Sequence, residues 1–219
     1  MDIFEEIAVN VEKGLSTNVT NLVTEALSKN ISGPDILEKG FIKGMASLGV
    51  KFKVNEVFIQ DVLIAARAMK LGLEIIRPYL AQENHEFKGK VVIGTVRGDY
   101  HDIGKNIIFC MLEGAGFDVV DLGVDISKEK FLEAIQQEKA DILGMSALLT
   151  TTMGYMREVI NFISLHPEFE NIKIMIGGTP VTSDYADNIN ADGYAGDAQT
   201  AVEVAISLIQ QIESEKKYS

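Results

Sequence analysis

From Lys90 onward the chain repeats one rhythm: a short β-branched run, a polar or glycine-containing loop, then a helical pattern. The candidate strands are Val91–Val96, Asp118–Leu122, Asp141–Met145, Lys173–Ile176 and Gly193–Ala195. The helical patterns between and after them are Ile103–Ala115, Lys128–Gln137, Thr152–Ser164, Ser183–Asn188 and Ala198–Ile212. Strands alternating with helices form a parallel sheet covered on both faces. Five strands joined by right-handed crossovers point to the order 2-1-3-4-5. In such a sheet ligands sit beyond the carboxyl ends of the strands, at the switch point beside the first strand.

The chain up to about Leu80 has another texture, with no convincing strand. Ile3, Phe4, Ile7, Ala8 and Val11 lie at helical spacing, and Gly14 follows as a stop. Val19, Leu22, Val23, Ala26 and Leu27 make a second stripe after a cap at Thr17 or Asn18. Pro34 opens a third helix, lined by Leu37, Phe41, Met45 and Leu48 and ended by Gly49. Phe58, Val62, Leu63, Ala66, Met69, Leu73 and Ile76 form the fourth and longest stripe, closing near Pro78. Four such helices make a small bundle. The polar stretch 81–90 reads as a linker. The expected division is a helical domain at 1–88 and a sheet domain at 89–219.

Composition narrows the function. The chain has 219 residues, 47% of them hydrophobic, which suits one or two domains with real cores. Lys+Arg number 20 against 32 Asp+Glu, a net charge of -12. So acidic a chain repels phosphate backbones and anionic lipid, which argues against nucleic-acid or membrane-surface partners. The first residues lack the basic and apolar regions of a signal peptide, and no apolar run is long enough to span a bilayer. The expected location is the cytoplasm. Cys110 is the single cysteine, which excludes an intrachain disulfide, and its apolar neighbours point to an inert core thiol.

The loops at the predicted ligand edge hold the chemistry. After the first strand comes Gly98-Asp99-Tyr100-His101-Asp102-Ile103-Gly104-Lys105-Asn106. After the third comes Ser146-Ala147-Leu148-Leu149-Thr150-Thr151-Thr152, and after the fourth Gly177-Gly178-Thr179-Pro180. His101 is the one imidazole in this set. It offers one nitrogen to a transition metal, and its other N–H needs an acceptor, which Asp99 can supply. Gly104 lets the following helix start close to a bulky ligand. Taken singly, each signal has a plainer reading. An isolated Asp-x-His is more often a surface loop, Ser146 and Thr152 serve equally well as helix caps, and Gly177-Gly178 is more often a tight turn. A metal site built from protein alone needs three or four ligands, and this edge offers one His and no Cys. A metal that brings most of its own ligands fits better.

The set Asp99-x-His101-x-x-Gly104, Ser146-x-Leu148 and Gly177-Gly178 resembles the cobalamin-binding domain of cobalamin-dependent methionine synthase. It is closer still to the corrinoid proteins of three-component methyltransferase systems. The run GDYHDIGKNI is the most specific part, ADGYAGDA at 191–198 is similar to the family's closing loop, and GVKFKVNEVFIQDVLIAARAMK at 49–70 extends the resemblance into the helical half. The resemblance implies a four-helix cap on a flavodoxin-like, Rossmann-type α/β domain that binds cobalamin base-off and His-on. His101 would be the lower axial ligand to cobalt, oriented by Asp99, with the Thr152 hydroxyl extending the relay. Asp102, Ile103 and Gly104 would lie against the cofactor. Ser146 would contact its tail base, and Leu148, Thr150, Gly177 and Gly178 would shape the slot for that tail. Phe52, Ile59 and Val62 would cap the upper face, although Val62 serves equally as plain bundle core. The chain departs from the family in having Phe58-Ile59-Gln60 where a Phe-Leu-Pro run is usual, and Thr152 where methionine synthase has Ser.

The function so implied is a methyl carrier, not catalytic alone. A donor-specific methyltransferase would load it and a corrinoid:tetrahydrofolate or corrinoid:thiol methyltransferase would unload it, with a reductive activator restoring the cobalt. A cobalamin-dependent sensor is the first alternative, though no basic DNA-reading helix is evident. A mutase small subunit is the second, but it usually lacks the four-helix cap. A phosphoacceptor receiver needs an Asp ending strand three, where this chain has Met145-Ser146.

Overall fold

The computed structural model describes residues 2–83 and 85–218. Asn84, inside the segment read as a linker, lies outside the described residues, as do Met1 and Ser219. The chain separates into two compact units: residues 1–87 with 110–116, and residues 88–109 with 117–219.

The first unit is helical: α1 (Ile3–Glu12), α2 (Ser16–Ser28), α3 (Gly33–Ile36), a π-helical segment (Leu37–Ile42), α4 (Lys43–Lys53) and α5 (Ile59–Gln82). Its core is the expected stripes, with Ile7, Val11, Val19, Val23, Phe41, Met45, Leu48, Val62 and Ile76 all buried. Three boundaries differ from the sequence reading. Helix α2 begins at Ser16, with Leu15 at the cap position and no side-chain cap. Asn18 instead donates to the Asn10 side chain at 2.9 Å. Gly49 does not end the third helix, which runs on to Lys53 because Met45, Leu48 and Phe52 continue one face at 3- and 4-residue spacing. Pro78 lies inside α5, which runs on to Gln82. An interior proline costs about 3 kcal/mol, but Leu73, Ile76 and Leu80 keep one buried face across it. Burial of that face outweighs the local penalty and shortens the expected linker. Phe58 and Leu63 were expected in the core and are exposed. The Phe58 N–H instead donates to the Asp61 carboxylate at 2.7 Å, capping the start of α5.

The second unit is the doubly wound sheet. Its elements are β1 (Lys90–Thr95), α6 (Ile103–Gly114, of which residues 110–114 count with the first unit), β2 (Asp118–Asp121), α7 (Lys128–Glu138), β3 (Ile142–Ser146), α8 (Thr150–Ile163), β4 (Lys173–Gly177), α9 (Ser183–Asn188), β5 (Gly193–Ala195) and α10 (Ala198–Tyr218). The strand order is β2-β1-β3-β4-β5, all parallel, as the rhythm of the sequence requires. Val91 to Thr95 and Ile142 to Met145 are buried at every position, not alternately, as strands covered on both faces must be. Phe131 of α7 and Met156, Val159 and Ile163 of α8 pack into this core. Cys110, expected in the core, is half-buried. Among the described residues no helix is long and apolar enough to cross a membrane.

Register places the functional loops side by side. Thr95 pairs with Ser146, and Ser146 with Gly177, so three strand ends meet in one row. Gly178, just beyond that row, has φ +126°, and a Cβ there would stand 1.8 Å from the Ala147 carbonyl oxygen. Gly178→Ala is therefore expected to destabilise the protein by about 2–4 kcal/mol in urea unfolding, through backbone strain and the forced separation of two strand ends.

Candidate functional site

Among the described residues three polar or charged side chains are buried: Thr95, Asp99 and Lys105. All three lie on the short path from the end of β1 through the histidine loop into α6. Burying polar groups is costly unless each is hydrogen-bonded, and each of these is.

Asp99 is the centre of the arrangement. Its Oδ1 accepts from the His101 N–H at 3.1 Å and faces His101 Nδ1 at 2.7 Å. Its Oδ2 accepts from the N–H groups of Leu148 and Leu149, at 2.8 and 3.2 Å, and from the Thr152 hydroxyl at 2.7 Å. Burial alone would push this carboxyl up. The hydrogen bonds from Thr152, the His101 ring and the Leu148 and His101 N–H groups outweigh burial and hold it far below the usual carboxylate range. Asp99 is therefore an ionised acceptor at neutral pH. An acceptor at 2.7 Å places the imidazole proton on Nδ1 and leaves the Nε2 lone pair free to bind a metal. The His101 side chain is 50% exposed, and among the described residues nothing hydrogen-bonds to Nε2.

The backbone is pinned as well. The Thr95 hydroxyl donates to the His101 carbonyl at 3.0 Å. Lys105, 1% exposed, makes a bidentate pair with Asp121 at 2.6 Å and donates to Asn106 at 2.7 Å, fixing the first turn of α6. Asp102 is exposed and accepts from the Asn106 amide at 3.2 Å.

The other expected residues divide into two groups. Ser146 and Gly177 line a narrow apolar cleft with Ile93, Ile108, Met145 and Met175. Its free space is about 20 Å³, room for little more than a water molecule with the side chains as they stand. Leu148 and Thr150 are exposed beside it. Gly177 and Gly178 are both needed by the protein itself, since a Cβ on either would strike the backbone of Ala195 or Ala147. Gly104 is the opposite case, for a Cβ there meets nothing within 4 Å. In the helical unit Phe52 is half-buried in the last turn of α4, Ile59 is 45% exposed at the start of α5, and Val62 is fully buried in the bundle core.

Comparison with known proteins identifies the family. A B12 binding domain family matches residues 89–206, and a second B12 binding domain family matches residues 3–77. A corrinoid protein of Desulfitobacterium hafniense (strain Y51) is 40% identical over 212 residues, covering 95% of this chain and 98% of the relative. Dimethylamine corrinoid protein 1 of Methanosarcina acetivorans is 39% identical, covering 94% and 98%. The chain belongs to the B12-binding corrinoid proteins. The crystal structure of the methanol:cobalamin methyltransferase complex MtaBC from Methanosarcina barkeri is similar with a TM-score of 0.85 and 29% identity, over 98% of this chain and 84% of that one.

The residues fit a corrinoid. Among the described residues no group of three or more His, Cys, Asp or Glu can hold a bare ion, whereas a corrinoid brings its metal in a macrocycle, beside which a single imidazole such as that of His101 would suffice as a protein ligand. Tyr100, Ile103, Leu148 and Leu149, in the two loops that Asp99 joins, expose apolar surface, suited to a large apolar ligand.

Sequence reading missed Thr95, Lys105 with Asp121, and the two N–H groups of Leu148 and Leu149. A buried Thr ending a strand was the available signal for the first.

Asp99→Asn is expected to cost about 1–3 kcal/mol of stability at pH 7, because an amide NH2 must face a donor on one side or the other. The folded pKa of Asp99 is depressed, so its stabilisation is present above the ordinary carboxyl value of about 3.9 and is lost as pH falls below it. The gap in unfolding free energy between wild type and Asp99→Asn should accordingly shrink below about pH 4.

Proposed function

We propose that this corrinoid protein is a methyl carrier that binds its cofactor base-off, with His101 as the lower ligand. The observation that carries the reading is the 2.7 Å contact of His101 Nδ1 with the buried Asp99 carboxylate, on a ring that is otherwise half exposed and whose Nε2 has no partner among the described residues. When bound, the corrinoid supplies a cobalt centre that accepts and releases a methyl group.

The protein residues would act as follows. His101 presents the Nε2 lone pair and keeps its proton at Nδ1. Asp99 holds that proton and makes the imidazole a stronger donor, and Thr152 steadies the carboxylate through its hydroxyl. Protonation at Nε2 competes with ligation, so acid favours release of the ligand. Ser146 and the apolar cleft would receive the tail base, and Ile103 and Gly104 would lie against the ring. From the helical unit we assign Phe52 and Ile59 to shielding the methyl group, while buried Val62 supports them.

The relatives named as methylamine corrinoid proteins, and the methanol methyltransferase complex, support a donor-specific methyltransferase as one partner. A methyltransferase passing the group to tetrahydrofolate or a thiol would be the second, and a reductive activator the third.

The test is reconstitution with hydroxocobalamin followed by gel filtration and electron paramagnetic resonance of the cob(II) form. An axial nitrogen splits each cobalt line into three. Wild type should carry the splitting and His101→Ala should keep the corrinoid but lose it. Splitting that persists in His101→Ala would show another nitrogen to be the ligand.

Gly104→Ala separates fold from function. Unfolding should show equal or slightly higher stability, by up to about 1 kcal/mol, since Ala suits a helix better than Gly. Corrinoid affinity should fall at least about tenfold, because the added methyl occupies ligand space.

A further inference from the structure

Asp125, in the loop between β2 and α7, is a surface carboxylate that the site described above does not use. Its Oδ1 accepts from the Gly98 N–H at 2.7 Å and its Oδ2 accepts from the Tyr100 hydroxyl at 3.1 Å. Its own N–H donates to the Asp99 carbonyl at 3.1 Å. These three bonds fall on residues 98, 99 and 100, one on each. They bracket Asp99, whose side chain fixes the ring of His101.

The two loops are brought together by the sheet. β1 continues past Thr95 as a parallel bridge between Val96 and Ile126, and the Ile126 N–H donates to the Thr95 carbonyl at 3.0 Å. Asp125 immediately precedes that bridge with φ +58°, a left-handed conformation that Asp tolerates better than most side chains. This backbone turns both its N–H and its carboxylate toward the histidine loop. Gly98, with φ +82°, turns its N–H back to meet them.

We infer that Asp125 is a positioning residue for His101: it holds the backbone of Asp99 so that the Asp99 carboxylate keeps the imidazole in the Nδ1–H form. Asp125 makes no contact with the imidazole itself. The inference rests on the reading of His101 as the lower ligand only for its consequence at cobalt, because the effect on the ring exists without cofactor.

The test therefore has two readouts. The first is the 15N spectrum of histidine-labelled, corrinoid-free protein at about pH 9, where an ordinary imidazole is neutral and the ring shifts report which nitrogen carries the proton. The second is the nitrogen splitting of the cob(II) spectrum. The main variant is Asp125→Gly, which removes the carboxylate and relieves the left-handed backbone at once. In wild type nearly all molecules should hold the proton at His101 Nδ1. In Asp125→Gly that share should fall below about two thirds in the corrinoid-free protein, with no loss of corrinoid on reconstitution. Asp125→Asn keeps an acceptor for Gly98 and should restore most of the wild-type signal, and Tyr100→Phe, which removes one bond, should fall between. Unchanged ring shifts in a folded Asp125→Gly protein would overturn the inference. If that variant does not fold, unchanged ring shifts in Tyr100→Phe would do the same. Altered ring shifts uphold the role of Asp125 whether or not the splitting changes, whereas splitting that persists in His101→Ala counts against His101 as the ligand and leaves the effect on the ring standing.

Discussion

One buried carboxylate organises the carboxyl edge of this sheet. Asp99 gathers donors from its own loop, from the backbone ahead of α8 and from the first turn of that helix. An ionised group in that position is tolerable only because its lone pairs are fully engaged. The same saturation dictates the state of the imidazole beside it. The Asp99 carboxylate thus serves as structural staple and tuning group at once, and a change made for one role disturbs the other. Lys105 and Asp121 repeat the logic on the opposite side of the loop, with a buried cation matched to a bidentate acid.

Much of this was legible in the sequence, for identifiable reasons. The strand order followed from the alternation of β-branched runs and helices, because parallel strands leave few ways to connect. Asp99, His101 and Gly104 were legible because they sit within six residues of one another in a single loop. What escaped was contributed by backbone or by distant chain. The N–H groups of Leu148 and Leu149 carry no side-chain signature, and Asp125 reaches the loop from 25 or more residues away. The missed helix ends have a different origin. Gly49 and Pro78 are local stop signals overruled by burial of the faces around Leu48 and Leu80, an energy that local propensity does not contain. Phe58 erred the other way, an aromatic at helical spacing that ended up exposed at the cap of α5.

The glycines of the site make a useful contrast. Gly177 and Gly178 are demanded by protein backbone, so their presence would be expected in any sheet closed this tightly. Gly104 is demanded by nothing in the protein. A small residue in a crowded turn is evidence about the fold, whereas at Gly104 the fold leaves the choice of side chain open.

The site offers a metal a single nitrogen, with no cluster of acids, thiols or further imidazoles among the described residues. Free divalent ions compete for protein sites in an order set mainly by intrinsic affinity, with copper foremost. One half-exposed imidazole holds any of them too weakly to matter against water. The protein therefore needs no means of rejecting zinc or copper from the solution around it. Selection of the metal was completed when cobalt was inserted into its macrocycle, and the polypeptide selects only the shape of the organic molecule around it.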